Sequence, residues 1–297
     1  MTVQERNPEP SNPLGIDGIE FIEYATSQPQ AFGNVLQKMG FAPVARHRSR
    51  EVTQYRQGSM NLIVNAHPDP LPGMSAPQAT PELKAIALRV QDAAFSHKHC
   101  LDLGAWDMPT RAAAMELNIP GIHGVGDTLV YFVDRHAHFS IYDVDFVPFA
   151  GMDPRPAAVA GLHWFGVVQA ILDDRTQDWI EFYRNLFGFS VLPEGRYFGV
   201  LPKGTLLESP CRKFYLQLIE PPPGAEDARW DEELVRIGLG APDVPAATRE
   251  LAGQGIVFID HGAVQPSDKG ALTQVYMGGV TFELVVSHLD PRTGVHA

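Results

Sequence analysis

The sequence contains little cysteine and no long apolar run. Only Cys100 and Cys211 occur among the 297 residues, which is too few for a disulfide framework, and neither belongs to a CxxC pair that could bind zinc. We expect both to be free thiols. No stretch approaches the roughly 20 apolar residues needed to span a bilayer, and residues 1–13 lack the apolar core of a signal peptide. These absences predict a cytoplasmic protein without a membrane partner.

Basic residues are also scarce. The chain has 23 lysines and arginines against 35 acidic residues, a formal net charge of -12, and no basic cluster. Binding to a phosphate backbone depends on such clusters, so nucleic acid is excluded as a partner. With 44% hydrophobic residues, the chain can bury one large core or two ordinary ones.

The same order of structural signals occurs twice along the chain. A predicted strand begins each repeat, at residues 18–25 and again at residues 161–168. An apolar pattern of helical spacing follows each strand. Both predicted helices stop at a glycine, Gly40 and Gly188, which can take the left-handed conformation that ends a helix. The shared order predicts two homologous modules.

The later part of each repeat is similar too. Residues 83–92 and 234–243 are each predicted as a short strand that leads into a helix. Residues 139–146 and 280–286 are predicted as the closing strands. The pattern indicates an α+β fold of two βαβββ modules, each an open, barrel-like mixed sheet with flanking helices.

The connection between the modules is rich in proline. Residues 147–160 contain Pro148, Pro154 and Pro156, which suits an exposed link. We therefore predict an N-terminal module at residues 1–152 and a C-terminal module at residues 153–297.

Candidate site residues come from comparing inward-facing positions of the two modules, since side chains alternate between the faces of a strand. The compared pairs are Glu20 and His163, Ala85 and Arg236, and Tyr142 and Glu283. The three residues of the first module provide no metal site. The three residues of the second module provide one histidine and one carboxylate. Two histidines and one carboxylate would suit ferrous iron with open positions for substrate and oxygen.

Several segments resemble a known family. The first module is similar to bacterial 4-hydroxyphenylpyruvate dioxygenases, which belong to the vicinal oxygen chelate superfamily, at residues 18–24, 45–50, 55–58, 61–65, 116–120 and 140–147. In the second module, His163 matches the first iron histidine of the family and Glu283 matches the iron carboxylate. The family's second histidine falls on Arg236.

The resemblance implies a cofactor and a substrate class. Iron(II) or another divalent metal would be held by His163 and Glu283, and the keto and carboxylate oxygens of a 2-oxo acid would chelate it before oxygen binds. Ile219 and Val235 replace amide side chains of the family. The chain up to Ala297 offers no equivalent of the family's C-terminal gating helix. Our substrate-binding candidates are Arg236, Gln274, Gln217, Phe198, Phe214 and Phe282, and the partners we expect are a small carboxylate and, in a homo-oligomer, further copies of the chain.

Arg236 is incompatible with iron at the same centre. At ~4 Å and an effective dielectric constant of ~20, a guanidinium opposes a divalent ion by about 8 kcal/mol before the carboxylate offsets part of this. Arg236 could turn to the pocket mouth and hold a substrate carboxylate, leaving His163 and Glu283 with Gln217 or Gln274 as ligands. Alternatively, it could pair with Glu283 and replace the metal.

Three functions follow from these alternatives. The leading hypothesis is a non-haem iron dioxygenase acting on an aromatic or other 2-oxo acid. The second is a lyase or isomerase in which a metal or Arg236 stabilises an enolate. The third is a binding protein without turnover, in which His163 is simply a core histidine.

Most of the other histidines are predicted to lie in solvent. His97 and His99 are separated around a predicted helix, and His136 and His138 fall in a turn. His261 could reach the site only if its loop folds inward.

Overall fold

The computed structural model describes residues 12–68, 75–108, 116–126, 128–136, 139–193, 198–201, 204–222, 230–262 and 264–289. These residues form two mixed β-sheets with helices packed on one face of each. Branched and aromatic residues dominate the central strands, as in the segment LVYFV at residues 129–133, because such side chains pack well on a pleated surface.

The first sheet has eight strands. They are β1 (Ile19–Ala25), β2 (Ala42–His47), β3 (Val52–Gln57), β4 (Met60–Asn65), β5 (Glu82–Arg89), β6 (Gly121–His123), β7 (Leu129–Val133) and β8 (Phe146–Pro148). Their spatial order is β6-β7-β5-β1-β4-β3-β2-β8.

The second sheet has seven strands. They are β9 (His163–Ala170), β10 (Ser190–Val191), β11 (Thr205–Glu208), β12 (Tyr215–Ile219), β13 (Glu233–Ala241), β14 (Gly270–Leu272) and β15 (Phe282–Val286). Their spatial order is β10-β11-β12-β9-β13-β15-β14.

The helices connect these strands. They are α1 (Pro29–Lys38), α2 (Ala93–Asp102), α3 (Ile141–Asp145), α4 (Thr176–Phe187) and α5 (Val244–Gly253), with a short 3-10 turn at Val159–Gly161. Helix α4 ends at Gly188 in the left-handed conformation (φ 78°), as predicted. Among the described residues, no helix has the length and apolar character needed to cross a bilayer.

The two sheets repeat one topology. Strand β1 pairs with β4 in parallel and with β5 in antiparallel, and β5 pairs with β7 in parallel. Likewise, β9 pairs with β12 in parallel and with β13 in antiparallel, and β13 pairs with β15 in parallel. The predicted pair of βαβββ modules is therefore confirmed.

One apolar core joins the helix-covered faces of both sheets. The rings of Phe41 and Trp164 lie 6.5 Å apart, and those of Phe132 and Phe187 lie 6.4 Å apart. The division at residue 152 falls between β8 and β9 and stays a prediction, because the modules share this core.

The predicted closing strand of the first module was wrong. Residues 141–145 form helix α3, which begins at a capping box between Ser140 and Asp143. The capping box satisfies the free N–H groups of the first turn and so favours the helix over a strand. Strand β7 takes the expected place beside β5.

Candidate active site

Strand pairing fixes which positions of the two modules are equivalent. Ala85 and Arg236 are equivalent, as predicted, since they face Glu23 on β1 and Val168 on β9. His163 corresponds to Gly18 rather than to Glu20, and Glu20 is instead equivalent to Phe165. Each of these last two residues occupies a bulge in its strand. The equivalent pairs on the inner faces, away from the helices, are Phe21 and Gly166, Glu23 and Val168, Ile63 and Gln217, and Tyr131 and Glu283.

His163 begins β9 and lies on the inner face, over Gly240 of β13. A Cβ atom at residue 240 would be 2.2 Å from His163 Nε2, so only glycine leaves room for the ring. Nδ1 lies 3.0 Å from the Gly161 carbonyl oxygen, and Nε2 lies 3.2 Å from Ser287 Oγ. A carbonyl only accepts, so Nδ1 carries the proton and Nε2 presents a lone pair. Burial lowers the pKa of the imidazole, partly offset by the bond to Gly161, and favours this neutral form.

Glu283 is 1% exposed on the same inner face, where it forms an ion pair with Arg236. Arg236 Nε lies 3.5 Å from Glu283 Oε2. Burial lowers the pKa of the guanidinium, and the Glu283 carboxylate opposes this effect. Nε makes no hydrogen bond with the described residues, so the contact is electrostatic and leaves this donor available. Arg236 therefore lies beside Glu283 as its counter-ion.

A short segment covers the carboxylate. The Val200 N–H donates to Glu283 Oε1 at 3.3 Å, and a Cβ atom at residue 199 would be 2.1 Å from the same oxygen. Phe198 packs on Phe165 and Tyr215, with ring centroids 5.1 and 5.2 Å apart. The remaining cavity beside Glu283 is about 20 Å³. The segment therefore leaves little free space beside the carboxylate.

The structure separates the remaining candidates for substrate binding. Gln217 is buried and lines the cavity beside Glu283. Phe198 packs on Phe165, which also lines this cavity. Phe214 and Phe282 belong to the helix-side core, because they adjoin the inward-facing Tyr215 and Glu283 and side chains alternate. Gln274 is exposed and lies outside the cavity lining. We correct the expectation that these last three line the pocket.

The other histidines are less solvated than expected. His97 Nε2 lies 2.8 Å from Asp107 Oδ1. His99 stacks on Phe95, and its Nε2 is buried without a hydrogen-bond partner in the described part of the chain. His136 is half-buried, His261 is exposed, and His138 lies outside the described residues.

The two cysteines are free, as predicted. Cys100 is buried and Cys211 is half-buried. Burial raises the pKa of both thiols, that of Cys100 to about 12, so neither is an activated nucleophile.

The register in the first module places Gly18, Ala85 and Tyr131 where the second has His163, Arg236 and Glu283. Glu20 instead pairs with Arg89, whose Nε lies 2.5 Å from Glu20 Oε2. Tyr142 lies on α3, so its assignment opposite Glu283 was wrong. That the first module binds no metal stays a prediction.

Comparing the two repeats in the sequence did not identify Glu23 and Tyr131. Both face a cavity beside the first sheet. Asn65 Nδ2 donates to Glu23 Oε1 at 2.9 Å. Burial raises the pKa of Glu23, partly offset by this bond and by Arg50. The alternation of charged and apolar residues in the segment IEFIEYA of β1 was the available signal, because a charged inner face on a central strand is unusual.

Glu23 should make stability depend on pH. Its raised pKa means that the folded protein binds the proton more tightly than the unfolded chain. This stabilisation is complete below the ordinary value of 4.5 and is lost as the pH rises through the folded value. Glu23→Gln should therefore gain stability relative to wild type as the pH rises from about 4.5, as measured by urea unfolding at several pH values.

The exposed Glu51 provides the matched control. Glu51→Gln removes the same charge from the first module, and its stability difference from wild type should change little with pH. A gain for Glu23→Gln that grew toward acid pH would contradict this account of Glu23.

Several known proteins are similar to this chain in sequence and in fold. A family model described as the N-terminal part of hydroxyphenylpyruvate dioxygenase matches residues 11–147. Hemolysin VllY of Vibrio vulnificus is 35% identical over 267 residues, covering 84% of this chain and 73% of the relative. The 4-hydroxyphenylpyruvate dioxygenase of Pseudomonas aeruginosa is 31% identical over 268 residues, with the same coverage of 84% and 73%. The chain belongs to the 4-hydroxyphenylpyruvate dioxygenase family.

This chain covers only part of a further relative. It spans 55% of the 4-hydroxyphenylpyruvate dioxygenase of Pseudomonas sp., at 38% identity over 200 residues, or 67% of this chain. A 4-hydroxymandelate synthase variant from Streptomyces coelicolor has a TM-score of 0.70 at 15% identity and covers 92% of this chain and 93% of its own. A fusion of a xylose isomerase-like TIM barrel with 4-hydroxyphenylpyruvate dioxygenase has a TM-score of 0.69 at 21% identity, covering 94% of this chain and 50% of its own. The structural matches support the vicinal oxygen chelate fold.

Proposed function

We propose that this chain acts on an aromatic or other 2-oxo acid as a 4-hydroxyphenylpyruvate dioxygenase-like protein, with its centre on the inner face of the second sheet. Family membership supports a non-haem iron dioxygenase of this type. The side chains at the centre determine whether the chain uses the iron that the family implies. The homo-oligomer expected from the sequence stays a prediction.

The donor set does not fit a resident iron in this arrangement. His163 supplies one lone pair, but the other expected ligand, Glu283, is paired with the guanidinium of Arg236. No group of three potential ligands occurs among the described histidine, cysteine, aspartate and glutamate residues. A cation already beside Glu283 disfavours a second, divalent one. This ion pair is the observation that supports our proposal.

The pair favours a centre in which Arg236 binds the substrate carboxylate. Its Nε donor makes no hydrogen bond with the described residues, and a guanidinium binds carboxylates well. The one positive charge of Arg236 is already balanced by Glu283, so a bound 2-oxo acid adds an uncompensated negative charge. Because buried charge without a partner is costly, we expect the complex to take up a proton.

A second candidate function is the iron-dependent oxygenase itself. The observation that favours it is the state of His163, whose Nδ1 donates to a backbone carbonyl while Nε2 presents a lone pair. Metal-binding histidines are commonly held in this way. Arg236 would have to turn toward solvent, which would leave Glu283 free to bind the ion.

Two measurements separate these candidates. Calorimetry with phenylpyruvate, in buffers of different ionisation enthalpy, should show binding with proton uptake in metal-free protein, and Arg236→Gln should lose this binding. Anaerobic loading with iron(II), followed by metal analysis and oxygen uptake with a panel of 2-oxo acids, tests the oxygenase. Stoichiometric iron with oxygen consumption would overturn the metal-free centre. Substrate turnover without oxygen consumption would indicate a lyase or isomerase.

A further inference from the structure

The inner face of the first sheet lines a partly open cavity of about 150 Å³. The register places it at the same position as the second-module centre, where about 20 Å³ remains. A cavity of ~150 Å³ can hold a benzene ring. The larger space thus lies in the module that lacks the family's metal ligands.

Aromatic side chains form much of the cavity wall. Tyr131 packs on Phe21 with ring centroids 5.9 Å apart, and Tyr142 packs on Phe146 at 5.5 Å. All four residues line the cavity. Rings that surround a small space suit a flat apolar group, and their faces attract a cation.

Two polar groups in this wall have unused hydrogen-bonding capacity. Glu23 Oε1 accepts from Asn65, but no hydrogen bond with the described residues reaches Glu23 Oε2 or the Tyr131 hydroxyl. Both side chains are half-buried, because the cavity reaches them. Inside a protein, such groups normally have a partner, and a ligand can supply it.

Among the described residues that line the cavity, acidic side chains outnumber basic ones. Arg50 pairs with Glu116, so these two charges compensate each other. Asp145 is 7% exposed, and both of its oxygens accept from the Leu117 N–H at 3.2 Å. Glu23 and Asp145 therefore remain as additional acids. Burial lowers the pKa of His47, so this residue adds little positive charge at neutral pH.

We propose that this cavity binds a small aromatic amine in its ammonium form. The ammonium group donates to Glu23 Oε2 and to the Tyr131 hydroxyl oxygen, and the aromatic ring packs against Phe21 and Phe146. Such a ligand supplies both the missing donor and the missing positive charge. A carboxylate of equal size is excluded by the same acids.

Benzylamine is the probe, with benzyl alcohol and benzoate as neutral and anionic analogues of similar shape. Binding to the full chain is followed through the methyl resonances of ¹³C-labelled methionine. Met108 lines the cavity, and Met277 in the second module reports non-specific effects. We expect benzylamine to shift the Met108 signal alone and to bind at least about tenfold more tightly than benzyl alcohol.

Glu23→Gln should weaken benzylamine binding by about tenfold or more, while Glu51→Gln, which removes a charge outside the cavity, should leave it unchanged. Tyr131→Phe provides a second variant if Glu23→Gln fails to fold. Equal affinity for benzyl alcohol would overturn the ammonium assignment. Tighter binding of benzoate, a shift of Met277 without Met108, or no binding of benzylamine would overturn the site.

Discussion

Arg236→Leu is expected to lower the free energy of unfolding by about 3 to 5 kcal/mol, because it leaves a buried carboxylate without its cation. Glu283 is 1% exposed and lies among apolar residues of β15. Its hydrogen bond from the Val200 N–H does not replace the lost charge. Urea unfolding of the variant at neutral pH measures the effect.

The double variant with Glu283→Leu as well removes both charges. It should recover most of the lost stability, since apolar residues commonly replace a buried ion pair without penalty. Lys98→Leu is the surface control, because the side chains of Lys98 and Asp102 are 73% and 62% exposed, and it should change stability by less than ~1 kcal/mol. A loss for Arg236→Leu no larger than that of the control would show that the pair does not neutralise Glu283.

Arg236→His should convert the second-module centre into an iron site. The change removes the competing cation and places a second histidine beside Glu283, on the inner face that also carries His163. Two histidines and one carboxylate suit iron(II). We expect iron affinity to increase at least 100-fold, equivalent to about 2.7 kcal/mol, in anaerobic equilibrium dialysis.

Two controls make this result specific. Arg236→Gln removes the positive charge without adding an imidazole and should gain much less affinity than Arg236→His. His163→Ala in the Arg236→His background should abolish most of the gain. If Arg236→His binds no more iron than Arg236→Gln does, the inner-face residues do not converge on one ion.

The repeated topology was predictable from the sequence. Apolar periodicity and the glycines that end the helices, such as Gly188, are local features, so they can be read directly from the sequence. The equivalence of Ala85 and Arg236 followed correctly because each of their strands leads directly into a helix, which aligns the two segments. Helix α3 was missed because the capping box at Ser140 outweighed an apparently strand-like pattern.

An error in the alignment of the two repeats explains why part of the site was misassigned. The bulges at Glu20 in β1 and at Phe165 in β9 are equivalent, so they do not shift one module relative to the other. The sequence pattern aligned Gly18 with Gly161, which matched Glu20 with His163, two positions from its true equivalent. The pairing of Arg236 with Glu283 depended on tertiary packing. The sequence therefore left open whether Arg236 turns to the pocket mouth or pairs with Glu283.

The common core between the sheets has an energetic consequence. Phe132 and Trp164 pack against residues of the opposite module, so separating the modules would expose apolar surface on both. We expect a single cooperative unfolding transition, in which neither half has an independent melting temperature. By mass action, a ligand bound in one module then protects the whole chain against heat. An amine bound beside Glu23 would therefore raise the temperature at which the region around Arg236 unfolds, although the amine does not contact that region.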